Sequence, residues 1–321
     1  MNLNEIDIRD SFFDQLYLNG STNKNIIILS ADMDAFSLRK FSKDFPDQYI
    51  NVGVSEQNMI NVASGLAMSG KIVYCYSIAS FATLRCFEQI KVNICSMNLP
   101  VTIVGAGAGF SFGYDGPTHH GALDIAYLKC VQGIIVSAPK DGNELRHLLY
   151  TALDYTKGPF SIRYPKACSQ NFDEKGQAEL LPIGSWEVCR KSKGNTVILA
   201  VGAQVFDGIN AAKNLSEQGI ECEVVNCRFI KPMDEDYLQS TLERFDNVIT
   251  IEEGVKTGGF GEGVAAWLAT NGYKGSVKII SLPDEFVEHG PRDLLLEKWG
   301  VNQKGIEDIV LKQSESIKLQ Y

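Results

Sequence analysis

The feature that most constrains this chain is an alternation. Short apolar runs rich in valine and isoleucine occur at 25–30, 72–76, 101–104, 133–137 and 160–163, with stretches of helical periodicity at 56–68, 81–96 and 142–155 between them. The rhythm resumes downstream, with apolar runs at 196–201, 221–227, 247–251 and 277–281 and helical stretches at 205–218, 236–244, 261–270 and 293–299. A run that is apolar at nearly every position needs cover on both faces. A strand of a parallel sheet with helices above and below has that cover. The expected fold is therefore α/β, with two doubly wound domains and mainly parallel sheets. At roughly 150 residues per domain, a chain of this size also accommodates two. Between the halves, 166–182 is polar and ends at Pro182. The expected division is 1–168 for the first domain, 169–185 for a linker and 186–321 for the second.

Composition removes several classes of function. The 30 Lys and Arg against 39 Asp and Glu give a formal charge of −9. That leaves no basic surplus to displace counterions from a nucleic-acid backbone. No apolar run approaches the ~20 residues needed to span a bilayer, and the first residues, Met1 to Asp7, lack the basic start and apolar stretch of a secretory signal. Neither nucleic acid nor membrane is an expected partner. None of the 8 cysteines forms a Cys-x-x-Cys pair, and most sit in apolar runs. They read as reduced thiols of a cytoplasmic protein. Gly105-Ala106-Gly107-Ala108-Gly109 follows an apolar run but lacks the glycine spacing of a dinucleotide fingerprint. It reads as a strand end that something approaches closely.

Chemistry concentrates in three segments. In Phe45-Pro46-Asp47-Gln48-Tyr49-Ile50-Asn51-Val52-Gly53-Val54-Ser55-Glu56-Gln57-Asn58-Met59, a strand ends near Gly53 and Ser55 is placed to cap a helix. Glu56 falls in the first turn, where a carboxylate by itself merely complements the helix dipole. The second segment is Ser80-Phe81-Ala82-Thr83-Leu84-Arg85-Cys86-Phe87-Glu88-Gln89-Ile90, at a strand–helix junction. Aromatic residues at such junctions often serve the core, and Arg85 reads as a partner of Glu88 or of backbone. The third is Gly113-Tyr114-Asp115-Gly116-Pro117-Thr118-His119-His120-Gly121, a rigid turn in which Asp115 is suited to capping.

Taken together, these segments resemble the transketolase family. The first is similar to the family stretch Phe-Pro-x-Arg-x-x-Asn-x-Gly-Ile-x-Glu-Gln-x-Met, with Gln48 in place of the arginine. The resemblance implies that Glu56 hydrogen-bonds the aminopyrimidine ring of thiamine diphosphate, a role that favours a dry setting. It implies that Phe81, or secondarily Phe87, forms an aromatic wall for that ring. It further implies that Asp115 and His119 contact sugar hydroxyls and the developing alkoxide, with imidazole suited to giving and taking a proton near neutral pH. His120 stands where many relatives carry Gln. Two weaker matches add Asp32 and Ser37 as candidates lining a substrate channel, and Arg163 as a candidate ligand of an acceptor phosphate or one half of an ion pair. The segment Leu282-Pro283-Asp284-Glu285-Phe286-Val287-Glu288-His289-Gly290 is similar to 1-deoxyxylulose-5-phosphate synthases, and His289 reads as a loop or interface residue.

The resemblance covers the pyrimidine-binding and C-terminal domains of the family. The Gly-Asp-Gly…Asn motif that holds the diphosphate and Mg²⁺ is not found, so no metal ligand is assigned to this chain. The expectation is the C-terminal subunit of a split transketolase that transfers a two-carbon ketol unit between small sugar substrates. An N-terminal transketolase-like partner would supply the diphosphate and Mg²⁺ site, in a heterotetramer. The alternatives are a decarboxylating synthase-like subunit, a 2-oxoacid dehydrogenase beta-like subunit and a non-catalytic regulatory subunit.

Overall fold

The computed structural model describes residues 6–169, 172–173 and 176–318. Two sheets organise it. The first runs, in spatial order, Phe229–Lys231, Ile135–Ser137, Phe160–Tyr164, Val101–Ala106, Ile72–Ile78, Ile26–Ser30 and Tyr49–Asn51. Its neighbours are parallel except for Phe229–Lys231, which pairs antiparallel with Ile135–Ser137. The second runs Ser276–Leu282, Asn247–Val255, Thr196–Ala200, Cys222–Asn226 and Glu187–Arg190, with only the last strand antiparallel. The mainly parallel α/β architecture expected from the apolar runs is what forms.

The inner parallel strands are buried on both faces, and the period of two sorts their side chains. Ile26, Ile28, Tyr74 and Tyr76 pack with Phe12, Phe13 and Leu16 of the helix Ile8–Thr22 and with Leu145, Leu148 and Leu149 of the helix Gly142–Asp154. Ile27, Leu29, Val73 and Cys75 pack on the other face with Met59, Ile60 and Ala63 of the helix Glu56–Met68. This second core continues into Val197, Leu199, Val225, Phe260 and Val264, so the two halves share it. The strand Phe229–Lys231 adds a second bond between them: the C-terminal half completes the sheet of the N-terminal half. A division at the linker does not show that connection. Among the described residues, no helix is long and apolar enough to cross a membrane.

One expected helix is broken. Residues 81–96 form a short helix Ala79–Thr83, a turn at 84–86, a single turn Phe87–Gln89 and a wide π-type turn Ile90–Cys95. Thr83 Oγ1 donates to the Ala79 carbonyl at 2.6 Å and Cys86 Sγ donates to the Phe81 carbonyl at 3.1 Å. Side chains thus occupy carbonyls of the first helix, and Cys86 leaves helical geometry with φ −111° and ψ 14°.

Candidate active site

Parallel strands all point the same way, so the loops beyond their C-terminal ends gather along one edge of the sheet. Asp32 follows Ile26–Ser30, Glu56 follows Tyr49–Asn51, Phe81 follows Ile72–Ile78, and the turn Gly113–Thr118 lies beyond Val101–Ala106. Topology alone therefore brings residues far apart in sequence to one place.

Glu56 opens its helix as expected, but Ser55 does not cap with its side chain; its hydroxyl donates to the Val52 carbonyl at 2.7 Å. Glu56 is only 3% exposed, a dry carboxylate at a helix start. Its hydrogen-bond donor is Arg85, whose Nη1 lies 2.7 Å from Oε1. The partner expected for Arg85, Glu88 or backbone, is thus replaced by a residue on another helix. The same guanidinium lies over the Phe81 ring, 3.9 Å from its centroid. The Phe81 ring in turn meets the His119 imidazole edge-on, with centroids 4.9 Å apart and planes at 62°. Thr118 Oγ1 sits 2.9 Å from His119 Nδ1, and Ser80 Oγ donates to the His119 carbonyl at 3.4 Å. Glu56, Arg85, Phe81 and His119 therefore form one unbroken series of contacts. Arg85 keeps 41% of its side chain in solvent while Glu56 keeps 3%, so the arginine can leave by moving outward into water whereas the carboxylate cannot.

The other expected residues divide. Asp115 is exposed in the turn Gly113–Thr118 beside His119. Asp32 is exposed at φ 52°, its backbone N–H donating to Asn51 Oδ1 at 3.2 Å. Ser37 is half-buried in the first turn of the helix Phe36–Asp44. Phe87 packs on the core and against Tyr127 at 6.0 Å, so it stands apart from the series ending at Glu56. Arg163 takes up the ion-pair half of its expectation. It is buried, its Nε donates to Asp124 Oδ2 at 2.6 Å and its Nη2 to the Glu253 carbonyl at 2.9 Å. The guanidinium so placed ties the first domain to the second.

Glu253 is the centre of that tie and was not singled out from the sequence. Its carboxylate accepts from the Phe110 N–H at 2.8 Å, from Gln204 Nε2 at 3.4 Å, and from Arg292 Nε and Nη2 at 3.0 and 2.6 Å. Gly109, at φ 64°, is where a side chain cannot fit: a Cβ there would lie 2.2 Å from Glu253 Cγ. The glycine stretch read as a close approach is thus approached by a second-domain carboxylate. The Gly290 N–H also donates to the Gly113 carbonyl at 2.9 Å and the Val255 N–H to the Ala122 carbonyl at 2.9 Å, so the second domain grips the His119 turn at both ends. The signal available in the sequence was Glu252-Glu253 inside an apolar strand. The His120 ring is edge-on to Phe110 at 4.8 Å and lines an interdomain cavity of about 280 Å³ with Leu282 and Phe286. Burial lowers its pKa below the usual imidazole value. Among the described residues, no group of three or more His, Cys, Asp or Glu side chains is placed to hold a metal ion.

The site can be tested against an aminopyrimidine. A planar group carrying N–H donors already lies between the Phe81 face and the Glu56 carboxylate. An aminopyrimidine asks for the same two contacts, a ring face and a buried carboxylate, so the residues present fit it.

Comparison with known proteins agrees. Residues 4–170 match the family described as transketolase, pyrimidine binding domain, and residues 184–306 match transketolase, C-terminal domain. The chain is 40% identical over 287 residues to the 1-deoxy-D-xylulose-5-phosphate synthase of Aquifex aeolicus, an alignment covering 89% of this chain and 45% of that protein. It is 38% identical over 286 residues to 1-deoxy-D-xylulose-5-phosphate synthase 2 of Geobacter sulfurreducens, covering 88% of this chain and 45% of that protein. The chain thus spans about half the length of these curated relatives. A solved chain described as split gene transketolase, inactive beta4 tetramer, matches with a TM-score of 0.85 and 30% identity, covering 96% of this chain and 98% of that one. This chain belongs to the transketolase family, whose members depend on thiamine diphosphate, and carries that family's pyrimidine-binding and C-terminal domains.

Proposed function

We propose that this chain is one subunit of a two-chain transketolase that transfers a two-carbon ketol unit between sugar substrates. The observation that carries the reading is the dry Glu56 carboxylate in series with the Phe81 face and the His119 imidazole. Thiamine diphosphate, when bound, supplies an electron sink for cleaving a carbon–carbon bond next to a carbonyl. Glu56 holds the hydrogen bond to the aminopyrimidine, sharing a proton at a carboxylate oxygen shielded from water. Phe81 provides the ring face. His119, its imidazole fixed by Thr118 and by the Phe81 edge, gives and takes a proton at the substrate oxygen. Asp115 orients sugar hydroxyls beside it, and Asp32 and Ser37 line the approach. The second domain, through Glu253 and Gly290, holds the His119 turn in position.

A partner chain completes the enzyme by carrying the diphosphate and Mg²⁺ ligands, and two copies of each assemble as a heterotetramer. The likeness of this chain to the chain of a split-gene transketolase supports this. A second reading, decarboxylating condensation of the synthase type, has its own support in the identity of 36–40% to synthases against 30% to the split transketolase. The deciding experiment reconstitutes the chain with its partner and offers xylulose 5-phosphate with an aldose acceptor, or pyruvate with glyceraldehyde 3-phosphate. Ketol transfer without carbon dioxide is the expected result. Release of carbon dioxide from pyruvate would replace it with the synthase reading, and tight stoichiometric binding of thiamine diphosphate by this chain alone would remove the need for a partner.

A further inference from the structure

We propose that Arg85 is a placeholder for the cofactor ring: its guanidinium, stacked on Phe81 and bonded to Glu56, closes the pyrimidine site in the unassembled chain and must swing out before the ring enters. The proposal rests on the assignment of Glu56 and Phe81 to the aminopyrimidine. Three observations lead to it. The guanidinium lies 3.9 Å from the Phe81 centroid while its Nη1 lies 2.7 Å from Glu56 Oε1, so one planar group makes both contacts that the ring requires. The two groups cannot be there together. Next, Arg85 is the sole hydrogen-bond donor to the Glu56 carboxylate among the described residues. Without a ring or a guanidinium, that carboxylate would be a buried charge with no compensation. Finally, Arg85 itself is poised to leave. It sits in the break at 84–86 between the helices Ala79–Thr83 and Phe87–Gln89, makes no second side-chain hydrogen bond among the described residues, and has 41% of its side chain in solvent.

A placeholder of this kind has two effects. It satisfies Glu56 while the chain waits for its cofactor, and it taxes every binding event by the equilibrium between closed and open arginine. Binding by the lone chain is thereby weakened, while an assembled enzyme with the diphosphate anchored offsets the tax.

The test is calorimetric titration of the full chain with thiamine, the unphosphorylated vitamin, so that no diphosphate contact enters the reading. Arg85→Met is expected to bind thiamine at least about tenfold more tightly than the unmodified chain. Arg85→Lys, which retains a charge for Glu56 but not a planar face for Phe81, is expected to fall between them. In the Arg85→Met background, Glu56→Gln should erase the gain. Arg85→Met binding no better than the unmodified chain, undetectable binding included, overturns the placeholder; should Arg85→Met fail to fold by its thermal melt, Arg85→Lys matching the unmodified chain does the same. A gain that survives Glu56→Gln would instead overturn the assignment of the ring to Glu56, so the two failures are distinct.

Discussion

Two buried glutamates, one for each sheet, invite comparison. Glu253 accepts four hydrogen bonds, from a backbone N–H, an amide and both arms of Arg292. Glu56 accepts one, from an arginine that is partly in solvent. Both carboxylates are equally hidden, at 2–3% exposure, so burial does not tell them apart. Satisfaction does. A buried acid with its lone pairs filled by its own chain has become part of the scaffold, whereas one held by a single detachable partner retains capacity for something else.

The comparison can be broken by substitution. If Glu56 is the functional one, Glu56→Gln should lower turnover of the reconstituted enzyme by about 10²–10⁴, the range for a lost proton-handling group. Its thermal unfolding should stay close to that of the unmodified chain; a variant that unfolds but turns over normally would reverse the roles of the two acids. If Glu253 is scaffold, Arg292→Ala should destabilise the chain by about 3 kcal/mol in urea unfolding, because it strips a buried carboxylate of its bidentate partner. A loss within measurement error would mean that the remaining donors suffice.

Glu252 sharpens the contrast with its neighbour. Adjacent strand residues point to opposite faces, and Glu252 turns away from Glu253 to accept the Phe260 and Gly261 N–H groups at 2.9 and 2.8 Å. Burial nonetheless pushes it up to about 7, against 4.5 for an ordinary glutamate, those two N–H bonds and Lys129 pulling the other way. The folded chain then holds this proton more tightly than the unfolded chain. Its contribution to stability therefore falls as pH rises from about 4.5 to about 7 and is level above that. The shift corresponds to roughly 3 kcal/mol at most. Urea midpoints taken across that window should decline less steeply in Glu252→Gln than in the unmodified chain; parallel profiles would mean that Glu252 ionises normally.

Legibility followed the range of the interactions. The helix Glu56–Met68 has the bounds the sequence suggests, because its apolar face and its start are local facts. The parallel strands were legible for a similar reason: being covered on both faces writes itself into consecutive residues. The strand Phe229–Lys231 was not, since three residues ahead of Pro232 carry no periodicity and its partner is remote in sequence. The break at 84–86 was missed because hydroxyl and thiol bonds to helix carbonyls interrupt a pattern that is apolar enough for one long helix. Within the site, Glu56, Phe81 and His119 emerged through motifs. The Arg85–Glu56 pair did not, because the residues are 29 apart and only the sheet brings them together. For Arg163 the sequence left a phosphate ligand and an ion pair open; its buried partners lie on two other elements, which no local pattern shows.

The borrowed strand has a consequence for how the molecule is made. While a ribosome is still synthesising the second half, Ile135–Ser137 is a raw margin of the first sheet, offering unpaired amides to any neighbouring nascent polypeptide until Phe229 emerges to cover it. A fragment truncated at the linker would carry that margin permanently. The two halves, distinct as domains, are therefore a single unit of biosynthesis.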